Sequence, residues 1–223
     1  MQQRYERNFP ALTREEFALL RRKRVAVIGC GGLGGHIIEL LCRLGVGSIR
    51  AVDGDVFEPS NLNRQLLSEA EVLGRPKAQI AAQRVRRVNP DVEVSGVWTY
   101  LNEGNALGLL EGCDVAVDAL DNIASRKVLA EACRRAGIPY VYGAIQGWVA
   151  QAAVSMPGDG LIDKLFPPHV QIRDKSVLSF TPALCAAMQA ALCAKLLVDR
   201  PVQTGTVFYY DLLNQEAETI PFA

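Results

Sequence analysis

Three glycines, Gly29, Gly31 and Gly34, stand in G-x-G-x-x-G order at the end of a short β-branched run, "RVAVIG" (24–29). A loop of this kind turns tightly and brings backbone N–H groups at a helix N-terminus up to a phosphate. Asp53 lies 19 residues after Gly34, at the end of the next β-branched run. An acid at that place accepts hydrogen bonds from ribose hydroxyls. An adenine nucleotide is therefore expected here. The loop alone leaves NAD and ATP both open.

Residues beyond the loop separate the two. A redox dinucleotide needs a nicotinamide pocket and a proton relay, most often a histidine, and the chain holds two, His36 and His169. His36 falls in the helical stretch after the loop and reads as a partly exposed helical side chain. His169, near Pro167-Pro168, is kept as a minor functional candidate. By contrast, Arg64 in "SNLNRQ" (60–65) and Lys77 in "GRPKA" (74–78) suit a triphosphate. Nucleotidyl transfer is catalysed chiefly by positioning and by cations facing the phosphate oxygens. Asp121, in "DALDN" (118–122), ends a predicted strand at the sheet edge where open α/β sheets bind ligands. A carboxylate there can hold Mg²⁺ through oxygen or water ligands. Singly, each is an ordinary surface charge; their grouping around a nucleotide loop gives them weight.

The grouping resembles the ThiF/MoeB/HesA family, the ubiquitin-activating-enzyme-like adenylyltransferases. The matching pieces are "RYERN" (4–8), "VAVIGCGGLGG" (25–35), "LGVGSIRAVDGDVFEPSNLNRQLL" (44–67), "GRPKA", "NP" (89–90), "DALDN" and the later "YVYGAIQGWVAQAAV" (140–154). The resemblance implies attack of a protein C-terminal carboxylate, usually a Gly-Gly tail, on the α-phosphate of ATP, giving an acyl-adenylate and pyrophosphate. It implies a nucleotide site of Gly29, Gly31, Gly32, Gly34, Asp53, Asp55, Ser60, Asn61, Arg64, Lys77, Asp121 and Asn122. Within it Asp53 holds the ribose, Arg64 and Lys77 neutralise the triphosphate, and Asp121 governs Mg²⁺. Arg7 matches an arginine that enters the partner subunit's site, which implies a homodimer. The implied partner is a small ubiquitin-like sulfur carrier of the ThiS/MoaD type, serving thiamine, molybdopterin or related cofactor synthesis. Alternatives on the same fold are a tRNA-borne or peptide carboxylate as substrate, or a non-catalytic scaffold subunit. Two departures stand out. The paired C-x-x-C motifs that bind zinc in many members are missing, so no structural zinc is expected. The segment 157–181 also has no cysteine for a covalent carrier adduct, so chemistry is expected to stop at the acyl-adenylate.

The elements that must position these residues are legible as an alternation. Strands are predicted at 24–29, 48–53, 92–98, 114–120, 139–145 and 148–156, and helices at 13–23, after the glycine loop, 75–90, 103–111, 122–136 and 182–198. Thr13 and Glu16 have capping-box spacing. Strands alternating with helices predict a Rossmann-like α/β fold, a doubly wound, mostly parallel sheet. "GTVFYYDLL" and "EAETIPF" are predicted as antiparallel C-terminal edge strands. The 223 residues read as a single adenylation domain: an N-terminal arm and helix (1–23), a nucleotide-binding core (24–147), and carrier-binding strands, crossover loop and terminal helix (148–223).

Composition narrows the function classes. Formal net charge is zero, which removes the global attraction that favours nucleic acid or an anionic membrane. The basic clusters at 21–24 and 84–87 read as solvated helix faces. The polar opening "MQQRYERNFP" does not read as a signal peptide, and "ALCAAMQAALCAKLLV" (183–198) reads as a buried amphipathic helix. A cytoplasmic protein is expected. Its six cysteines lie mostly in apolar patterns and read as buried thiols.

Overall fold

The computed structural model describes residues 3–168, 170 and 176–222; His169 lies outside the described residues. Its centre is one eight-stranded sheet in the order β3-β2-β1-β4-β5-β6-β7-β8. The strands are β1 (Arg24–Ile28), β2 (Ser48–Val52), β3 (Glu93–Val97), β4 (Val115–Asp118), β5 (Tyr140–Gln146), β6 (Val149–Ser155), β7 (Thr206–Asp211) and β8 (Glu216–Pro221). β1 to β5 pair in parallel, whereas β5–β6, β6–β7 and β7–β8 are antiparallel. The doubly wound fold with antiparallel C-terminal strands is thus present. Of the two last strands, however, only β8 lies at an edge. β7 is paired on both sides, because a tight hairpin returns the chain after it.

Helices cover both faces. α1 (Arg14–Leu20), α2 (Gly32–Leu44), α3 (Lys77–Val88) and α7 (Phe180–Leu197) supply one core layer, with Val25, Val27, Ile49 and Val117 of the sheet. α4 (Ala106–Leu110), α5 (Ile123–Ala136) and α6 (Leu161–Leu165) cover the other, against Ala26, Ile28, Ala116 and Tyr140. Neighbours such as Val25 and Ala26 face opposite layers, so each central strand is apolar on both sides, as a covered parallel sheet requires. The predicted cap of α1 forms: Glu16 N donates to Thr13 Oγ1 (3.1 Å) and Thr13 N to Glu16 Oε2 (2.7 Å). α6, inside the segment read as a polar connection, is an addition. α7 is long and apolar enough to cross a membrane by length and composition, yet half of it is buried in the molecule, against α2, β5 and β6.

Strand order reverses beside β1, which runs to β2 on one side and pairs with β4 on the other. That switch point is where the loops after β1 and β4 meet. Ala119 N donates to Ile28 O (2.9 Å) and Gly29 N to Val52 O (2.7 Å). Gly29 has φ +102°, and a Cβ on it would collide with Ala119 O. A Cβ on Gly34 would collide with Gly29 O, so the first turn of α2 closes onto the loop only with glycine there. Gly34→Ala is expected to destabilise by roughly 3 kcal/mol or more, because the obstructing atom is backbone and cannot rotate away. Gly108→Ala, in open space on α4, is expected to gain about 0.5–1 kcal/mol. Urea midpoints of the two variants check both signs.

Candidate nucleotide-binding active site

The site is built at the carboxyl ends of β1, β2 and β4. Between β1 and α2, Cys30 N donates to Asp53 Oδ2 (2.7 Å), so the acid ending β2 also shapes the glycine loop. Asp53 Oδ1 accepts from Asp55 N (2.7 Å). Burial pushes the Asp53 carboxyl above its usual range, against these two amides and Lys77. Asp55 leads on to Lys77: Lys77 N donates to Asp55 O (3.0 Å), and Lys77 Nζ lies 3.3 Å from Asp55 Oδ2. The Lys77 side chain is only 8% exposed, so its ammonium is presented from within the protein rather than from a free surface arm.

The "SNLNRQ" segment is a 3₁₀ turn over Pro59–Asn61 with further turns after it. Asn61 is buried; its Oδ1 accepts from Glu58 N (3.1 Å) and its Nδ2 donates to Ser60 Oγ (3.4 Å). It therefore holds the turn's shape. Arg64 Nη1 donates to Ser60 O (2.9 Å) and Asn63 Oδ1 (2.8 Å), and the stem of Arg64 flanks Gly32, 3.8 Å from where a Cβ would stand. Gln65, which sequence reasoning passed over, is buried with its amide beside Gly31. Pro182, in the first turn of α7, closes over Gly32 from another side, 3.6 Å from a Cβ there.

Asp121 and Asn122 lie exposed in the turn after β4. Asn122 caps α5, its Oδ1 accepting from Ser125 N (2.8 Å), and its Nδ2 donates to Asp121 Oδ1 (3.2 Å). Beneath them is a network that sequence reasoning missed. Asp118 is 0% exposed and Arg126 3%. Asp118 Oδ2 accepts from Arg126 Nη1 and from Tyr140 O–H, each at 2.5 Å, and Asp118 Oδ1 accepts from Leu120 N (2.8 Å). Arg126 also donates to Leu120 O (2.5 Å) and Gly143 O (2.8 Å), and Gln189 Nε2 donates to Asp118 O (2.7 Å). Burial pushes the Tyr140 hydroxyl well above its usual range, with Asp118 adding to it. The available signal was an acid ending the apolar run "DVAVD" (114–118), a placement that demands a partner.

Arg7 is not brought to this site. It is exposed on a 3₁₀ helix, Gln3–Asn8, that packs on the far end of α2, where Tyr5 touches Gly45 and Asn8 Nδ2 donates to Leu44 O (3.1 Å). The 13 residues of α2 hold that end about 20 Å from Gly32. "RYERN" and "NP" meet there: Asn89 Nδ2 donates to Tyr5 Oη (2.8 Å) and Arg4 Nη1 to Asn89 Oδ1 (2.6 Å). His36 is half-buried on α2, and burial lowers its pKa. All six cysteines are buried and free. Burial pushes Cys42 up to about 11 and Cys133 and Cys185 to about 12, and it raises the other three as well.

Residues 5–223 match the ThiF family model. The chain belongs to the ThiF family. Two relatives fit that placement. It is 38% identical to the SAMP-activating enzyme E1 of Haloferax volcanii, over 91% of this chain and 78% of the relative. It is 34% identical to the sulfur carrier protein adenylyltransferase of Thermus thermophilus, over 95% and 83% respectively. Among solved structures, E. coli MccB with ATP superposes with a TM-score of 0.84, covering 100% of this chain and 72% of that one at 21% identity, a likeness of fold.

The buried pair makes a stability prediction. Arg126→Met leaves Asp118 buried without its cation and is expected to cost about 3–5 kcal/mol. The double variant Asp118→Leu/Arg126→Met is expected to recover part of that loss, because no unpaired charge remains. Urea denaturation of the two variants is the check; a double variant no more stable than Arg126→Met alone would contradict it.

Proposed function

We propose that this ThiF-family chain is an ATP-dependent adenylyltransferase that activates the C-terminal carboxylate of a small ubiquitin-like sulfur carrier, for thiamine, molybdopterin or related sulfur-containing cofactor synthesis. What supports the reading is that Arg64 flanks Gly32, Lys77 connects through Asp55 and Asp53 to Cys30 N of the glycine loop, and Asp121 lies two residues beyond Ala119, which packs against Gly29. The two relatives named for activating small proteins support the substrate class.

In this reading, the loop amides and the α2 N-terminus receive phosphate, and Asp53, held in place by Cys30 N and Asp55 N, accepts from the ribose. The attacking carboxylate is already ionised near neutral pH and needs no general base. Its difficulty is repulsion. Two unit charges about 4 Å apart repel by roughly 4 kcal/mol at an effective dielectric of 20. Arg64 and Lys77 draw triphosphate charge away from the approaching carboxylate and stabilise the pyrophosphate as its bond to the α-phosphorus breaks. A lone exposed carboxylate, Asp121, fits Mg²⁺, which takes one or two carboxylates and completes its shell with phosphates and water; when bound, that ion supplies further charge neutralisation. The single domain is proposed to divide its work, with residues 24–147 holding nucleotide and 148–223 receiving the carrier. With all six thiols buried and raised, the product is proposed to be the acyl-adenylate itself. The proposed setting is the cytoplasm, where free thiols persist.

Arg7, at the wrong end of its own chain to reach Gly32, is proposed to serve the site of a second copy in a homodimer. Two experiments test these assignments. With Mg²⁺ and a carrier bearing a free Gly-Gly terminus, ATP–pyrophosphate exchange is expected to fall on the order of a hundredfold in Arg64→Ala or Asp121→Ala. Near-normal exchange in either would remove that residue from the site. Mixing Arg7→Ala with Lys77→Ala subunits is expected to restore about a quarter of wild-type activity, since half of randomly assorted dimers then hold one intact site. No recovery after verified subunit exchange would exclude action in trans.

A further inference from the structure

The strand-to-helix connection after β3 carries two large exposed aromatics, Trp98 and Tyr100, the latter 66% exposed. Neither belongs to the set implied by the glycine loop and its cations. Both reach across to the connection after β2. Trp98 Nε1 donates to Gly54 O (2.8 Å). The Tyr100 ring lies against Gly54 so closely that a Cβ there would stand 2.5 Å from Tyr100 Cγ. From that seat Tyr100 O–H donates to Asp55 Oδ1 (2.6 Å), while the other oxygen, Asp55 Oδ2, faces Lys77 Nζ.

We infer that Tyr100 is a positioning residue that sets how freely Lys77 can turn to a triphosphate, by fixing the Asp55 carboxylate so that only one oxygen faces the ammonium. The inference rests on the adenylyltransferase reading and adds to it a side chain that touches neither substrate nor metal. Lys77 is buried and needs a counter-charge when no nucleotide is present, and Asp55 supplies it. The same ion pair competes with phosphate for the ammonium once ATP arrives. A carboxylate with both oxygens free can rotate to take the ammonium more fully. One pinned and hydrogen-bonded through Oδ1 has less charge to offer Lys77. The Tyr100 hydroxyl, with Lys77 beside it, holds Asp55 below the usual carboxylate range, in keeping with a partly satisfied anion. Gly54 is the enabling residue, since any side chain there displaces the ring.

The test is calorimetric binding of the uncleavable analogue α,β-methylene-ATP and of AMP to the whole chain. AMP lacks the phosphates that Lys77 serves. Tyr100→Phe is expected to weaken the analogue about tenfold, the low end of what a hydrogen bond to a charged group contributes, and to leave AMP unchanged. Gly54→Ala, which keeps the tyrosine but displaces its ring, is expected to do the same. In an Asp55→Asn background, where no anion competes, adding Tyr100→Phe is expected to change nothing further. Equal loss of AMP and analogue affinity would reduce Tyr100 to a structural prop, and unchanged analogue affinity would overturn the inference outright. Wild-type protein that binds neither ligand would instead overturn the nucleotide reading beneath it.

Discussion

The structure turns on one buried ion pair, Asp118 with Arg126. An acid at 0% exposure is tolerated only when its charge and lone pairs are met. Meeting them recruits four elements. Arg126 comes from the first turn of α5, Tyr140 from the start of β5, Leu120 N from the turn itself, and Gln189 of α7 takes the Asp118 carbonyl. Between Asp118 and Arg126 the chain has little freedom left, so Asp121 and Asn122 stand in a fixed turn at the sheet's carboxyl edge. Ala119, in that turn, donates to Ile28 O and fills the space beside Gly29. The pair thus shapes the glycine loop without touching it.

A second constraint is set by the chemistry. Bringing two anions together requires cations that do not swing away into solvent, and buried cations require anions of their own. The buried Lys77 meets this with Asp55, whereas Arg64, only half-buried, is held by neutral oxygens of Ser60 and Asn63, which position the guanidinium without neutralising it. Asp53 has a double assignment. Its two oxygens already accept from Cys30 N and Asp55 N, which leaves the remaining lone pairs for the proposed contact with a ribose. The acids Asp53, Asp55 and Asp121 accompany the cations Arg64 and Lys77, so the site, like the whole chain with its zero net charge, carries no excess of positive charge.

Much of this was legible in the sequence because it depends on local pattern. Short β-branched runs became β1, β2 and β4, and Thr13 with Glu16 announced the cap of α1. Gly29 and Gly34 were readable because a tight turn between strand and helix leaves few other residues possible. What stayed hidden depends on contacts distant in sequence. Asn61 also shapes its own turn, accepting from Glu58 N and donating to Ser60 Oγ, a role visible only once the turn is built. Asp118 and Arg126 are eight residues apart across a strand end and a helix start, a spacing that fixes no distance. Tyr100 meets Asp55 across 45 residues. Arg7 is a different case: the resemblance implies a place in a partner subunit's site, and the fold sets it at the far end of α2 from the glycine loop of its own chain.

α7 shows why composition alone misleads. Its apolar residues run nearly all round, a character shared by core helices and membrane spans. The distinction lies in its polar residues. Thr181 Oγ1 donates to Gly147 O (2.8 Å), Gln189 Nε2 to Asp118 O, and Cys185 Sγ to Gln151 O (3.2 Å), so each reaches a carbonyl on the sheet that the helix covers. These bonds fix its rotation and depth, which seats Pro182 against Gly32 and packs the helix across β5 and β6. One helix therefore spans the parallel half that carries the glycine loop and the antiparallel half beside it. A shift of α7 along its axis would strand Gln189 from Asp118 and lift Pro182 from the loop together, so the two halves of the sheet share one mechanical reference.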